Sequence, residues 1–246
     1  MFDDTKFDLG NYTVGRDLEV EMAEKKARED MCEQSFIKAC GSEKFRNVEF
    51  SQLGELQNVT FGKGENATKS IISKYIDDVA NGNMRFLWLC GNPGTGKTIL
   101  AVAVIHELCR RGFSCAYFKS HKIMQRLRDA ERFSSGINPK DVLSEIIAGK
   151  FRVIDEIGRW PVPEWERFRL FDIINDLYEE YKSAIFISNM SGHDLADFIG
   201  TAATDRFRGS GMILEFRGES YRGTKDELYV TNGGKNTHFP VKKVVV

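Results

Sequence analysis

The residues Gly91-Asn92-Pro93-Gly94-Thr95-Gly96-Lys97-Thr98 follow the spacing G-x-x-x-x-G-K-T, that of a phosphate-binding P-loop. Each residue type meets a need of phosphate chemistry. The glycines let backbone approach an anion closely and turn through φ/ψ values that a Cβ disfavours. Several N–H groups and the positive end of a following helix then converge on one phosphate. Lys97 would reach the β- and γ-phosphates of ATP, and the Thr98 hydroxyl would ligate Mg²⁺.

Two further runs end in polar groups. Phe151-Arg152-Val153-Ile154-Asp155-Glu156 reads as a buried strand closed by two carboxylates, one β-α cycle beyond the P-loop. Ligands of parallel sheets bind beyond the carboxyl ends of the strands, where such a pair would stand. Asp155 would hold the hydration shell of Mg²⁺, and Glu156 would polarise an attacking water. Ala184-Ile185-Phe186-Ile187-Ser188-Asn189 ends in an amide able to bond the γ-phosphate or that water, although an ordinary turn Asn reads the same way. Lys119, Lys122, Arg126, Arg128 and Arg132 form a cationic row at helical steps, with Phe133 beside it. Such a row suits phosphate neutralisation and base stacking on single-stranded DNA, or equally a solvated helix face balanced by Asp129 and Glu131. His106, His121, His193 and His238 show no spacing that pairs them for catalysis.

The elements that must position these groups alternate from residue 85 onward. Short apolar runs predict strands at 86–90, 114–119, 151–155, 184–189 and 211–217. Helical spacing predicts helices at 97–111, 121–132, 139–148, 166–181 and 192–199. Such alternation implies a mainly parallel sheet covered on both faces. Upstream, Ile71, Ile72, Tyr75, Ile76 and Val79 mark a helix that Asn66 or Thr68 would cap and Asn81-Gly82 would stop. Residues 17–40 carry another helical stripe (Val20, Ala23, Ala27, Met31), and glycines then mark a connector. The expected division is an N-terminal helical region at 1–65, a nucleotide-binding domain at 66–224 and a tail at 225–246.

Net charge is −1, so any nucleic-acid contact must come from a local patch rather than a global field. No stretch of about 18 apolar residues is present, which argues against a membrane span. The acidic start Met1-Phe2-Asp3-Asp4 has no apolar leader behind it, and a cytoplasmic protein is expected. Cys90, Cys109 and Cys115 fall in predicted core elements, while Cys32 and Cys40 have no nearby His and no zinc-ligand spacing. Apart from Mg²⁺ held with a nucleotide, no metal is expected.

Taken together, the P-loop, the carboxylate pair and Asn189 resemble the additional-strand (AAA+) ATPases, in which a polar residue in the position of Asn189 serves as sensor 1. Val153-Ile154-Asp155-Glu156-Ile157-Gly158, Asp205-Arg206-Phe207-Arg208 and Ser220-Tyr221-Arg222 narrow the resemblance to the DnaC-type helicase loaders and their IstB-type relatives, over roughly residues 80–224. That resemblance implies an α/β fold of AAA+ type, with a five-stranded parallel sheet flanked by helices and a small helical N-terminal region. With 24 residues after Arg222, no C-terminal lid domain is expected. It also implies that Arg206 (with Arg208 as the alternative) reaches the nucleotide of a neighbouring copy, linking ATP to self-association. A surface ion pair with Asp205 or Glu215 is the plainer reading of Arg206. Arg222 matches the sensor 2 position. The family binds its replicative helicase through the N-terminal region, here residues 17–40, although a helix packed on the chain's own nucleotide-binding domain reads the same way. It lays single-stranded DNA near the region of Lys119–Arg132. The implied function is an ATPase that loads a replicative DNA helicase. An IstB-type transposition helper and a nucleotide-binding adaptor with negligible turnover are the alternatives. The Trp160 and Trp165 loop reads as either core packing or a partner contact.

Overall fold

The computed structural model describes residues 67–132, 136–158, 162–218 and 220, together with Val20, Met22, Ala23, Gln34, Phe36, Phe45, Val48 and Phe50. Upstream described residues such as Val20 and Phe36 are helical. The helix α1 (Ala67–Ala80) ends in a turn where the Asn83 N–H donates to Asp78 and the Gly82 N–H to Val79, so the expected Asn-Gly stop is observed. It starts one residue before Thr68, which is therefore inside the helix rather than its cap. The buried Tyr75 hydroxyl of α1 donates to the carbonyl oxygens of Ala184 (3.1 Å) and Arg85 (3.3 Å), pinning the helix to the sheet.

Five strands follow: β1 (Phe86–Gly91), β2 (Cys115–Lys119), β3 (Phe151–Ile157), β4 (Ser183–Ser188) and β5 (Gly211–Phe216). They form one parallel sheet in the order β2-β3-β4-β1-β5. The intervening helices are α2 (Lys97–Arg110), α3 (Ser120–Ala130), α4 (Pro139–Ile147), α5 (Glu164–Glu179) and α6 (Gly192–Ser210). Local chemistry explains several starts. Asn138 caps α4 by accepting from the Lys140 N–H, with Pro139 at the first helical position, and Ser191 caps α6 by accepting from the Asp194 N–H.

Strand alternation sorts side chains to the two faces. Leu87, Leu89, Val153, Ile185 and Ile187 pack against α1 and α2. Phe86, Trp88, Cys90, Ile154 and Phe186 pack against α3 to α6 on the other face. The N-terminal residues Phe36 and Val48 are buried in the first of these cores, with Phe45 and Phe50 packed at its edge. Part of the expected N-terminal region thus lies against the core of the sheet, while Val20 and Met22 are exposed. The expected boundaries near 65 and at 225 fall outside the described residues.

One element is longer than its sequence pattern suggests. The expected helix 192–199 continues past a break at Gly200 (φ 79°, ψ 169°) into a second helical stretch that carries Arg206. This stretch is held nonlocally: buried Phe207 packs its ring on Phe86, Trp88 and Phe186 at centroid distances of 5.1, 5.2 and 5.5 Å. Among the described residues, no helix is long and apolar enough to cross a membrane.

Candidate nucleotide site

The sheet order puts β4 between β1 and β3, so the chemistry of three strand ends meets along one edge. Gly91 closes β1, and the P-loop runs from there into α2. A Cβ on Gly91 would lie 2.2 Å from the Phe216 carbonyl oxygen, and one on Gly94 would lie 2.0 Å from the Ser220 Oγ. Both positions also have positive φ, at 104° and 80°, so only glycine fits them. The helix N-cap is Gly96, which supplies no side-chain acceptor, so the first-turn N–H groups of α2 remain available to an anion.

Lys97 is nearly buried, and its Nζ donates to the carbonyls of Gly91 (2.8 Å) and Asn92. The Thr95 hydroxyl donates to the Asn92 carbonyl at 2.8 Å. The chain leaving β5 is laced onto this loop. The Asn92 N–H donates to Phe216, and the Asn92 side-chain amide donates to the carbonyls of Arg217 (3.1 Å) and Gly218 (3.2 Å).

Asp155 lies across from the loop and is 4% exposed. Its Oδ2 accepts from the Thr98 hydroxyl at 2.8 Å and from the Tyr117 hydroxyl at 2.6 Å, while Oδ1 accepts from the Glu156 N–H at 2.6 Å. Thr98 spends its hydroxyl hydrogen on Asp155, which leaves its oxygen lone pairs for a cation. A threonine hydroxyl beside a carboxylate is a hard oxygen set that fits Mg²⁺ held together with phosphates.

Glu156 adopts φ 62°, in the left-handed region, at a register shift between Ile154 and Ile157 in the β3–β4 ladder. Such a backbone state costs on the order of 1–3 kcal/mol and persists where surrounding structure enforces it. A bulge breaks strand alternation, so consecutive carboxylates need not project to opposite faces. Glu156 is held by two groups from the end of β2 and the start of α3: Lys119 Nζ at 3.0 Å and His121 Nδ1 at 3.2 Å. Sequence spacing marked no histidine for catalysis, and it did not reveal that His121 stands beside Glu156. Parallel register explains it, because Lys119 stands opposite Asp155 and brings the β2–α3 junction alongside the carboxylates.

Asn189 is exposed just past β4, between β1 and β3. Its loop is tied on both sides: Met190 accepts from the Gly91 N–H at 2.8 Å, and the Ser188 hydroxyl donates to Ile157 at 2.9 Å. Burial, with the Glu215 charge adding to it, pushes the nearby Cys90 thiol up to about 12, so it stays a neutral core group.

Arg206 sits away from this cluster. Its guanidinium lies 5.5 Å from the Phe171 ring centroid and 5.8 Å from that of Tyr178, an aromatic shelf on α5. The cationic row is mostly engaged. Arg126 forms a fork with Glu145, which holds the Glu145 carboxyl below its usual range. Arg128 pairs with Glu166 at 3.1 Å and lies over Trp165, while Arg132 is 3.7 Å from Asp129. Trp165 is also faced by Arg169 and packs at the edge of the second core. Arg222, Phe133 and Trp160, together with the side chain of Arg208, lie outside the described residues. Among the residues that are described, no cluster suited to another metal is found.

The IstB-like ATP binding protein family matches this chain over residues 19–228. The chain belongs to that family. The replicative helicase loader DnaC of Escherichia coli (strain K12) is 27% identical over 161 residues, and the match spans 65% of each chain. A protein of insertion sequence IS5376 from Geobacillus stearothermophilus is 30% identical over 145 residues, covering 57% of this chain and 55% of that one. The crystal structure of a DnaC helicase loader shares the fold, with a TM-score of 0.57 at 22% identity over 72% of this chain and 100% of that one. This IstB-like chain shares its fold with that loader structure, and the edge of its sheet brings Thr98 against Asp155 beside the P-loop that carries Lys97.

Proposed function

We propose that this IstB-like protein is a cytoplasmic ATPase that loads a replicative DNA helicase onto single-stranded DNA. The observation that carries the reading is the joined set of Lys97, Thr98, Asp155 and Glu156, with Thr98 hydrogen-bonded directly to Asp155. A nucleotide-binding adaptor would not need a carboxylate held in strained backbone next to that pair.

In this mechanism, residues 91–98 wrap the phosphates and Lys97 turns from its own loop carbonyls to the β- and γ-oxygens. Mg²⁺ held with ATP would offset phosphate charge, with Thr98 and Asp155 as its protein partners. Glu156 accepts a proton from, or orients, the attacking water, and Asn189 bonds the water or the γ-phosphate. Arg222 reaches the γ-phosphate within the chain. Arg206 leaves its aromatic shelf to stabilise the transferring phosphoryl group in a neighbouring copy. In the unassembled chain its guanidinium lies against the rings of Phe171 and Tyr178.

DNA and ATP act as coupled ligands through Lys119. Exposed ion pairs are worth about 0.2–1 kcal/mol, so a DNA phosphate can compete for Lys119, Arg126 and Arg128. Lys122 lies exposed on the same row, and Phe133 offers a ring for stacking. Capture of Lys119 frees Glu156 to act on water. The helicase is engaged by residues 17–40, where exposed Val20 and Met22 lie ahead of the docked Phe36.

The relationship to the IS5376 protein favours a second reading, a transposition helper that assembles on duplex DNA. Co-purification separates the two. With ATP and single-stranded DNA, the chain should elute with the replicative helicase of its own source. Absence of a complex under every nucleotide condition, with ATP-dependent assembly on duplex DNA instead, sinks the loader reading.

A further inference from the structure

Tyr117 has no place in the P-loop chemistry, yet its hydroxyl makes a 2.6 Å hydrogen bond to the Asp155 oxygen that also receives Thr98. On its other side, Phe45 packs against the Tyr117 ring, with centroids 6.3 Å apart and planes tilted by 53°. Phe45 belongs to a segment anchored at both flanks on α2, the helix that starts at the P-loop. Buried Phe36 packs on the His106 ring at 4.7 Å, and the Val48 carbonyl lies 3.1 Å from His106 Nδ1. A continuous line therefore runs from the N-terminal segment through Phe45 and Tyr117 to Asp155.

We propose that Tyr117 is a positioning residue for Asp155, and that the docked N-terminal segment, acting through Phe45, sets how well the site takes Mg²⁺ with its nucleotide. The idea rests on the nucleotide reading above. A carboxylate oxygen that accepts two hydroxyl donors is fixed in direction, and loss of one lets it rotate away from Thr98. The Phe45 ring packs on that of Tyr117, so undocking of Phe36, Phe45 and Val48 loosens the same bond. A partner that pulls on the N-terminal region would thereby reach the metal-binding carboxylate without touching the nucleotide.

The test is equilibrium binding of a fluorescent ATP analogue to the full chain, in EDTA and across a Mg²⁺ series. Tyr117→Phe keeps the ring and its packing. It should leave the affinity in EDTA unchanged while raising the Mg²⁺ concentration for half-maximal enhancement about tenfold. Phe45→Leu should shift that midpoint in the same direction by less. Combined with Tyr117→Phe it should add nothing, because the bond it supports is already gone. An unmoved Mg²⁺ midpoint in Tyr117→Phe overturns the positioning role, even if thermal stability falls. An unmoved midpoint in Phe45→Leu, or an additive shift in the double variant, overturns the N-terminal link. A wild-type chain whose binding ignores Mg²⁺ altogether removes the underlying site reading instead.

Discussion

At the scale of residues, the site is organised by who holds each carboxylate. Asp155 is fixed by Thr98, Tyr117 and its own neighbour's N–H, whereas Glu156 is held by Lys119 and His121. A carboxylate in an ion pair is a poorer acceptor for a water proton, so under the proposed ATPase function Lys119 would restrain turnover while it stays on Glu156. Lys119→Ala should therefore raise DNA-independent ATP turnover several-fold and flatten its stimulation by single-stranded DNA. Steady-state phosphate release measured with and without DNA checks this, and a variant with wild-type basal rate and wild-type stimulation contradicts it. The placement of Lys97, Thr98, Asp155 and Glu156 was legible in the sequence because it depends on local spacing and strand ends. Tyr117 and His121 were not, since nothing in their neighbourhood marks them. Only the register that sets Lys119 against Asp155 brings the β2–α3 junction to the carboxylates.

Among the elements, strands were the easiest to read. A parallel strand buried on both faces is a nearly unbroken apolar run, and β1 and β4 have that form. The second half of α6 was harder, because Thr201-Ala202-Ala203-Thr204 has little apolar pattern and Gly200 reads as a stop. It is helical because Phe207 inserts into the aromatic cluster of β1 and β4, a contact that no local window contains. Arg206 owes its position to that insertion. At the end of α5, Tyr181 is exposed and takes φ 56° while the Lys182 N–H closes the helix on Leu177. A non-glycine residue in that conformation costs about 1–2 kcal/mol. Tyr181→Gly should stabilise the fold by roughly 1 kcal/mol, a rise in Tm of about 2–4 °C by calorimetry, because glycine carries no such penalty. A lowered Tm would mean that the exposed ring makes contacts worth more than the strain.

For the whole molecule, the strand order makes one continuous edge from separate segments: the P-loop after β1, Asn189 after β4, the carboxylates of β3 and the Lys119 junction of β2. The docked residues Phe36, Phe45 and Val48 add the N-terminal segment to that assembly from the α2 side. Composition and spacing predicted the layered α/β architecture with its five strands, and the family resemblance assigned them to an AAA+ sheet. Packing of residues 17–40 on the chain's own core was one of the two readings the sequence left open, and burial of Phe36 agrees with it. The contacts of Phe45 and Val48 show only in three dimensions. A single variant bears most directly on the claim that this edge hydrolyses ATP. Glu156→Gln keeps the size of the side chain and removes the charge that polarises water. ATP affinity of the purified variant, measured beside phosphate release with single-stranded DNA and helicase present, should stay within about twofold of wild type while turnover falls at least about 100-fold. Turnover that persists with Gln at this position would contradict the account, since water activation would then lie elsewhere.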